Sequence, residues 1–259
     1  MWLPPAHVMG DLGYSMIVMF DRYRAKHPGS SLSQMVFWDF WRILSCLVLR
    51  VFFGLRAEGA GHVPPDGPLL ICANHQSFLD PPAIGCRVTS RQLDFVARFG
   101  LFKIGWMAWF LKHLNCIPIA EQGSDAAAIR EVVNRLKQGK AVMIFPEGSR
   151  SHDGSIQPFK RGIAVLLKRA KCPVVPAAIA GAHKAWPRDR KLPRIRGARV
   201  RVLIGSPIPY KELMVDGPEA ALSRIETEVQ TLHRQISGED TADPQRQSHA
   251  LQSNRPKAD

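Results

Sequence analysis

The sequence predicts an α/β fold in which a partly parallel central sheet is flanked by helices and preceded by an N-terminal membrane-associating helical segment. Three observations lead to this prediction. Short apolar runs, typical of buried strands, alternate with segments that have the apolar spacing of helices. Polar turns with chemically competent side chains follow two of those runs. The first 56 residues are instead rich in aromatic and aliphatic residues interrupted by cations.

The N-terminal segment contains one long apolar stretch, 35–55, which is interrupted by Asp39, Arg42 and Arg50. A membrane-spanning helix usually needs about 18 uninterrupted apolar residues or more. This stretch therefore favours a helix that lies on a bilayer over one that spans it, and both remain open. No signal peptide is predicted, because 1–20 contains neither a basic leader nor a clear cleavage site.

Pairs of tryptophans mark two apolar segments. Trp38 and Trp41 are three residues apart and so neighbours on one helical face. Trp106 and Trp109 repeat the spacing within 101–114, between two lysines. Tryptophan beside apolar bulk, bordered by cations, is typical of a helix at a bilayer interface. The alternative is a pair of core helices whose tryptophans pack inward.

The remaining elements follow in order from local patterns. Strands are predicted at 68–73, 93–97, 116–120, 141–145, 174–180 and 199–205, the last with the alternation of a sheet edge. Helices are predicted from 81 to 86 and over 124–137, 162–170 and 218–236. This gives three regions: N-terminal membrane-anchoring helices (1–56), an α/β domain (57–236) and a disordered polar tail (237–259).

Composition narrows the classes of partner. The formal net charge of +13 favours a polyanion: nucleic acid, an anionic membrane surface or a phosphorylated substrate. The five cysteines are scattered without a CxxC pair, which indicates neither a disulfide framework nor a zinc site and suits thiols that face the cytosol. The basic segment 184–201 contains a single aromatic residue, Trp186, so we expect no nucleic-acid partner.

The first polar turn, "NHQSFLD", places His75 just beyond a predicted strand and Asp80 five residues later. In α/β sheets, functional sites lie at this end of the strands. A carboxylate bonded to one ring nitrogen lets the other nitrogen take a proton from a hydroxyl. The structural alternative is that Asp80 caps a helix beginning at Pro81, with His75 as a turn residue. Ser77 is poorly placed as a covalent nucleophile.

The second polar turn, "FPEGSRS", also follows an apolar strand. Pro146 and Gly148 shape it, and Arg150 offers a planar fork of donors suited to phosphate. Glu147 either orients a substrate hydroxyl or holds Arg150. A base and an anion binder at two strand ends together indicate a functional site more strongly than either turn does alone.

These two motifs, about seventy residues apart, resemble the HxxxxD and FPEGTRS motifs of the glycerolipid acyltransferases, the 1-acylglycerol-3-phosphate acyltransferase family. The lead-in "GPLLICANH", the later "PFKRG" and "VVPAAIAG" are also similar to family blocks. The resemblance covers roughly 58–209. It implies acyl transfer from acyl-CoA or acyl-carrier protein to a lysolipid hydroxyl in phospholipid biosynthesis, without metal or cofactor, at the cytoplasmic face of a membrane to which the protein is peripheral or monotopic.

Motif matching assigns roles residue by residue. It makes His75 the general base and Asp80 its partner. The substrate-binding residues implied by the match are Glu147, Gly148, Ser149, Arg150, Arg98 and Lys160.

The chain departs from the family between the two motifs. A strand there usually ends in an arginine associated with the acceptor phosphate, but this chain has Glu121, or Gln122 with a one-residue slip. The acceptor is therefore either 1-acylglycerol-3-phosphate, with Arg98 in compensation, or another lysolipid or hydroxylated lipid.

Several alternatives stay open. The basic segment 184–201 binds the anionic membrane surface, the phosphates of CoA or an acidic carrier protein, or is only a solvated loop. A non-catalytic lipid- or polyanion-binding protein and a thioesterase are the competing functions. The donor, the acyl-chain length and the oligomeric state are not determined by the sequence.

Overall fold

The computed structural model describes residues 11–119, 126–195 and 197–238. Its helices are α1 (Asp11–Ala25), α2 (Leu32–Phe53), a 3₁₀ helix (Ala60–His62), α3 (Asp80–Gly85), α4 (Phe99–Phe102), α5 (Gly105–His113), α6 (Ala126–Lys137), α7 (Gly162–Ala170), α8 (Ala182–Ala185), α9 (Tyr210–Leu213) and α10 (Gly217–Ser237). Its strands are β1 (Arg56–Glu58), β2 (Leu69–Ala73), β3 (Leu93–Arg98), β4 (Ile117–Ile119), β5 (Ala141–Ile144), β6 (Val174–Ala180) and β7 (Arg201–Ile204).

The strands form one sheet in the order β1-β7-β6-β2-β5-β3-β4. Every neighbouring pair is parallel except β6 and β7. This confirms the predicted partly parallel sheet, and it brings the carboxyl ends of the central strands β2 and β5 to the same edge. Both polar turns begin at that edge.

The side chains of β2 point alternately to the two faces of the sheet, and helices cover both faces. Leu69, Ile71 and Ala73 pack into a core shared with α2 and α3, whereas Leu70 and Cys72 pack into a second core shared with α6, α7 and α10. All five side chains are fully buried. A strand buried on both faces reads as a continuous apolar run, which is why this strand was predictable from sequence.

Helix α2 is fixed at both ends and packs onto the α3 side of the sheet. Ser31 and Gln34 form a capping box at its start, and Gly54 ends it in the left-handed conformation. Trp38 is buried and stacks on Phe95 of β3, with 5.8 Å between ring centroids. None of the helices in the described ranges is both long and apolar enough to cross a membrane.

The structure corrects one expectation and adds elements that were not predicted, and other predictions fall on residues that it does not describe. Segment 199–205 is not a sheet edge, because β7 lies between β1 and β6. The three-residue edge strand β1 and the 3₁₀ helix were not predicted. The predictions for Glu121 or Gln122 and for the tail beyond 238 lie outside the described residues. The domain boundary at 56 stays a prediction.

Candidate active site

The first polar turn is anchored where β2 ends. Asn74 is fully buried, and its side chain pairs with both backbone groups of Ile179 on β6. Its amide nitrogen donates to the Ile179 carbonyl at 2.9 Å, and its oxygen accepts the Ile179 N–H at 2.8 Å. The side chain thus extends the β2–β6 ladder by one step while the main chain turns away. This fixes the point from which His75 projects.

His75 and Asp80 are in direct contact, as the spacing predicts. The Nδ1 of His75 lies 2.8 Å from Oδ2 of Asp80, which is fully buried, while the His75 side chain is 18% exposed. The imidazole also stacks on Phe145, with 4.0 Å between ring centroids and 16° between planes. The carboxylate and the aromatic ring together fix the imidazole, and its Nε2 has no hydrogen-bond partner within the described part of the chain.

Asp80 does more than orient the imidazole, and it is not a helix cap. Its Oδ2 also accepts the backbone N–H groups of Gln76 at 2.6 Å and Ser77 at 2.7 Å, upstream of α3, and the cap position is Leu79. Three donors on one oxygen close the turn around the carboxylate. Ser77 is fully buried, and its hydroxyl donates to the Trp186 carbonyl at 2.9 Å, so it is a structural residue and not a nucleophile.

The second turn is joined to the first through Glu147. The His75 N–H donates to Oε1 of Glu147 at 2.7 Å, and the Gln157 N–H donates to Oε2 at 3.3 Å. In addition, the Ser151 N–H donates to the His75 carbonyl at 2.8 Å. Glu147 therefore positions the backbone of His75. It does not pair with Arg150, and holding Arg150 was one of the two roles considered for it. Its contribution to acceptor binding stays a prediction.

The Glu147 carboxyl is a buried acid with an unusual proton affinity. Burial raises its pKa to about 8, and the charges of Asp80 and Glu226 act in the same direction. The two backbone N–H bonds oppose this rise. At neutral pH the group is therefore largely protonated.

Gly148 allows the second turn to pass beneath Lys160. Its φ is +72°, a left-handed conformation that suits glycine, and a Cβ built on it would come within 2.6 Å of the Lys160 amine. The Lys160 N–H donates to the Pro146 carbonyl at 3.0 Å, which folds the predicted "PFKRG" segment back over the turn. Ser149 is half-buried and forms no side-chain hydrogen bond with the described residues.

Arg150 is held by an aromatic ring. Its guanidinium carbon lies 3.6 Å from the centroid of the Phe78 ring, in the first polar turn. Its Nη1 is buried without a hydrogen-bond partner among the described residues. Burial first, and then the nearby charges of Arg188 and Arg98, lower its pKa, while Asp80 opposes this. The charge of Arg98 thus acts on Arg150, while the binding of the acceptor by either arginine stays a prediction.

Several residues of the site were missed by sequence reasoning. These are the anchor Asn74, the two aromatic supports Phe78 and Phe145, and Arg188. The basic segment was noted for its charge alone, and nothing in its pattern distinguishes Arg188 from the exposed Arg190 and Arg194 around it. No local signal marks the other three as parts of the site.

Comparison with known proteins agrees with the motifs. Residues 54–180 match the family model described as Acyltransferase. Curated 1-acyl-sn-glycerol-3-phosphate acyltransferases are similar over most of this chain. The alpha enzyme of Ovis aries is 30% identical over 204 residues, covering 75% of this chain and 68% of its own. The Bacillus subtilis enzyme is 26% identical over 187 residues, and the match covers 69% of this chain and 90% of that enzyme.

The chloroplastic relative from Brassica napus, named BAT2, is 29% identical over 201 residues, which is 76% of this chain but only 54% of the relative, so the match spans about half of that longer protein. The solved 1-acyl-sn-glycerophosphate acyltransferase PlsC from Thermotoga maritima shares the fold, with a TM-score of 0.65 at 24% identity over 86% of this chain and 89% of its own. With the motifs, the geometry and these relatives in agreement, the chain belongs to the 1-acylglycerol-3-phosphate acyltransferase family of glycerolipid acyltransferases.

Proposed function

We propose that the protein transfers a fatty acyl group from a thioester, acyl-CoA or acyl-carrier protein, to the free hydroxyl of 1-acylglycerol-3-phosphate in phospholipid biosynthesis. The observation that carries this proposal is the 2.8 Å contact between His75 Nδ1 and buried Asp80. In the same turn the Phe78 ring holds the guanidinium of Arg150, whose Nη1 has no hydrogen-bond partner among the described residues. The names of the relatives support the same acceptor.

The pair acts as a general base without a serine. Nε2 of His75 takes the proton from the acceptor hydroxyl, and the hydroxyl oxygen attacks the thioester carbonyl. Asp80 stabilises the imidazolium that forms. When the tetrahedral intermediate collapses, the carbon–sulfur bond breaks and the imidazolium protonates the departing thiolate. The products are the new oxygen ester and a free thiol, and His75 returns to its starting state.

Backbone amides of the second turn would stabilise the oxyanion. The N–H groups of Gln76, Ser77, Gly148 and Ser151 are already hydrogen bonded within the protein. The N–H groups of Ser149 and Arg150 have no acceptor in the described part of the chain, so we assign the oxyanion to these two.

An acceptor screen tests the function. Purified full-length protein is given one acyl-CoA with lysophosphatidic acid, monoacylglycerol, lysophosphatidylglycerol or no acceptor, and the lipid products are identified by mass spectrometry. We expect phosphatidic acid from lysophosphatidic acid at the highest kcat/KM. Free fatty acid as the main product under all conditions would instead indicate a thioesterase, and absence of thioester consumption would indicate a binding protein.

The proposal includes a membrane surface formed by α2 and α5, which we call the apolar face. It carries exposed apolar side chains at helical spacing along α2: Leu32, Val36, Phe40, Ile43, Leu47 and Val51. Trp106 and Trp109 of α5 are 68% and 56% exposed, and the Trp109 ring lies 5.3 Å from Phe37 of α2. Of the two tryptophans of α2, Trp38 is buried in the core and does not belong to this face, whereas Trp41 is half-buried.

This arrangement supports peripheral or monotopic binding to anionic lipids, with the cytoplasmic face as the proposed side. A contiguous exposed apolar surface is costly in water. Insertion of the apolar face would cover it, and the exposed Lys103 and Lys112 beside the tryptophans would meet anionic headgroups.

We expect the double variant Leu47→Ser/Trp106→Ser to bind vesicles of phosphatidylglycerol and phosphatidylcholine about 10- to 100-fold more weakly than wild type, because two large apolar contacts with the bilayer are lost. Co-sedimentation at several lipid concentrations measures this. The matched control is Val165→Ser/Val215→Ser, which removes two exposed apolar side chains outside the apolar face. Equal binding of both double variants would contradict the assignment.

A further inference from the structure

A third guanidinium lies at the edge of the site, on a loop outside both motifs. Arg188 follows α8, and its Nη1 donates to the Arg150 carbonyl at 3.0 Å and lies 3.1 Å from Nε2 of His152. The loop is tied to the first turn as well. The Ser77 hydroxyl donates to the Trp186 carbonyl at 2.9 Å, and the Trp186 ring packs against Phe78 with centroids 5.4 Å apart. Arg188 is therefore held in place relative to both catalytic turns.

The donors of this cluster are largely unused. Arg150 makes no side-chain hydrogen bond to any described residue, and its Nη1 is buried. Arg188 commits only Nη1, which leaves Nε and Nη2 without a protein acceptor in the same ranges. A guanidinium has five N–H donors, and buried donors normally find partners. The buried Nη1 of Arg150 therefore indicates a ligand, and the half-buried Arg188 can offer its two uncommitted nitrogens to the same ligand.

The charges of the cluster are also unbalanced. No ion pair between a described carboxylate and Arg98, Arg150 or Arg188 is present within the 4.0 Å limit for such pairs. Burial first, and then the like charges of Arg188 and Arg98, lower the pKa of Arg150, so both neighbouring cations act unfavourably on its charged form. A doubly charged phosphate monoester would relieve this repulsion and accept the free donors in a bidentate manner.

We propose that Arg188 is a ligand of the acceptor's phosphate and a specificity residue, which completes a three-arginine site with Arg150 and Arg98. This inference rests on the proposed function. In lysophosphatidic acid only two carbons and one ester oxygen separate the hydroxyl oxygen from phosphorus, so the phosphate must bind close to His75. In acyl-CoA the whole pantetheine arm separates the thioester from the phosphates. Arg150 and Arg188 are fixed to the turns that carry the base, so they suit the acceptor's phosphate and not the donor's.

The test is the kinetics of Arg188→Gln with lysophosphatidic acid at saturating acyl-CoA. We expect the acceptor KM to rise about 10- to 100-fold, because a pair of charge-assisted hydrogen bonds to the phosphate is lost. The kcat should change by no more than a few fold. The KM for acyl-CoA and the slow turnover of monoacylglycerol, which lacks the phosphate, should not change. Arg188→Lys should recover part of the acceptor affinity, since it keeps the charge but not the fork.

Arg190→Gln is the matched control, because Arg190 is an exposed arginine of the same loop whose side chain forms no hydrogen bond or ion pair with the described residues. An unchanged acceptor KM in Arg188→Gln would overturn the inference, as would a rise in the acyl-CoA KM alone. Inhibition by inorganic phosphate adds a second readout that needs only residual activity: the inhibition constant should rise in both Arg188 variants. If wild type does not acylate lysophosphatidic acid, the proposed function fails; if it does and these constants do not move, only the role of Arg188 fails.

Discussion

His75→Ala is expected to lower kcat for acylation of lysophosphatidic acid by about 10³-fold, within the range that a positioned general base contributes. The variant removes the group that we propose deprotonates the acceptor hydroxyl, while the arginines proposed to bind the phosphate remain. The acceptor KM should therefore change little. The measurement is the initial rate of thiol release from acyl-CoA, with product formation checked by mass spectrometry.

Asp80→Asn provides the companion result. An amide oxygen can still accept hydrogen bonds from His75, Gln76 and Ser77, but it lacks the charge that stabilises the imidazolium. We expect a loss of about 10²-fold or more in kcat.

The control is His62→Ala, which removes a histidine that contacts the Ile204 carbonyl outside the site. Its rate should equal that of wild type. Wild-type turnover in His75→Ala would rule out the base assignment, and melting temperatures separate lost chemistry from lost folding.

The central strands were predictable because strands that are buried on both faces consist of contiguous apolar residues. β2, β5 and β6 are buried along their entire length, so a local pattern suffices to find them. β1 is three residues long with two exposed charged ends, and it exists because β7, far along the chain, offers its edge. No local pattern contains that information, and β1 in turn is the reason that β7 is not an edge strand.

The contact between His75 and Asp80 was predictable because it is local, but its surroundings were not. Asn74 bonds Ile179 across 105 residues, and Glu147 bonds His75 across 72. The hydrogen bond from the His75 backbone to Glu147 was not predicted for this reason, since Arg150 is close to Glu147 in sequence whereas His75 is close to it only in space. Likewise, helical periodicity identified an amphipathic α2, but only packing against Phe95 shows that Trp38 faces inward.

The second large effect that we expect is a pH dependence of the free energy of unfolding, caused by Glu147. In the folded protein burial raises its pKa to about 8, against an ordinary value of 4.5. Between these two pH values the folded state therefore holds a proton that the unfolded state releases. The free energy of unfolding must then fall as pH rises from about 4.5 to about 8, and it is constant with respect to this group outside that window.

Each pH unit inside the window corresponds to about 1.4 kcal/mol for a full proton, so the total loss over about 3.5 units is about 5 kcal/mol. That is a large fraction of the stability of a typical domain. Urea unfolding of wild type at pH 5, 6.5 and 8 should show the midpoint falling steadily, with the steepest part of the loss before pH 8.

Glu147→Gln isolates the contribution of this one carboxyl, because a glutamine accepts the His75 N–H without titrating. At pH 5, where the protonated Glu147 suits the buried site, the urea midpoint of the variant should be lower than that of wild type. The midpoint of the variant should also depend much less on pH than that of wild type. Glu219→Gln removes an acidic residue from the first turn of α10 and should keep the wild-type slope. If Glu147→Gln also keeps the full slope, the buried carboxyl is not the group that titrates. If the pH dependence of the midpoint disappears in Glu147→Gln, the carboxyl that accepts the His75 N–H is a neutral acid at the pH of the cell.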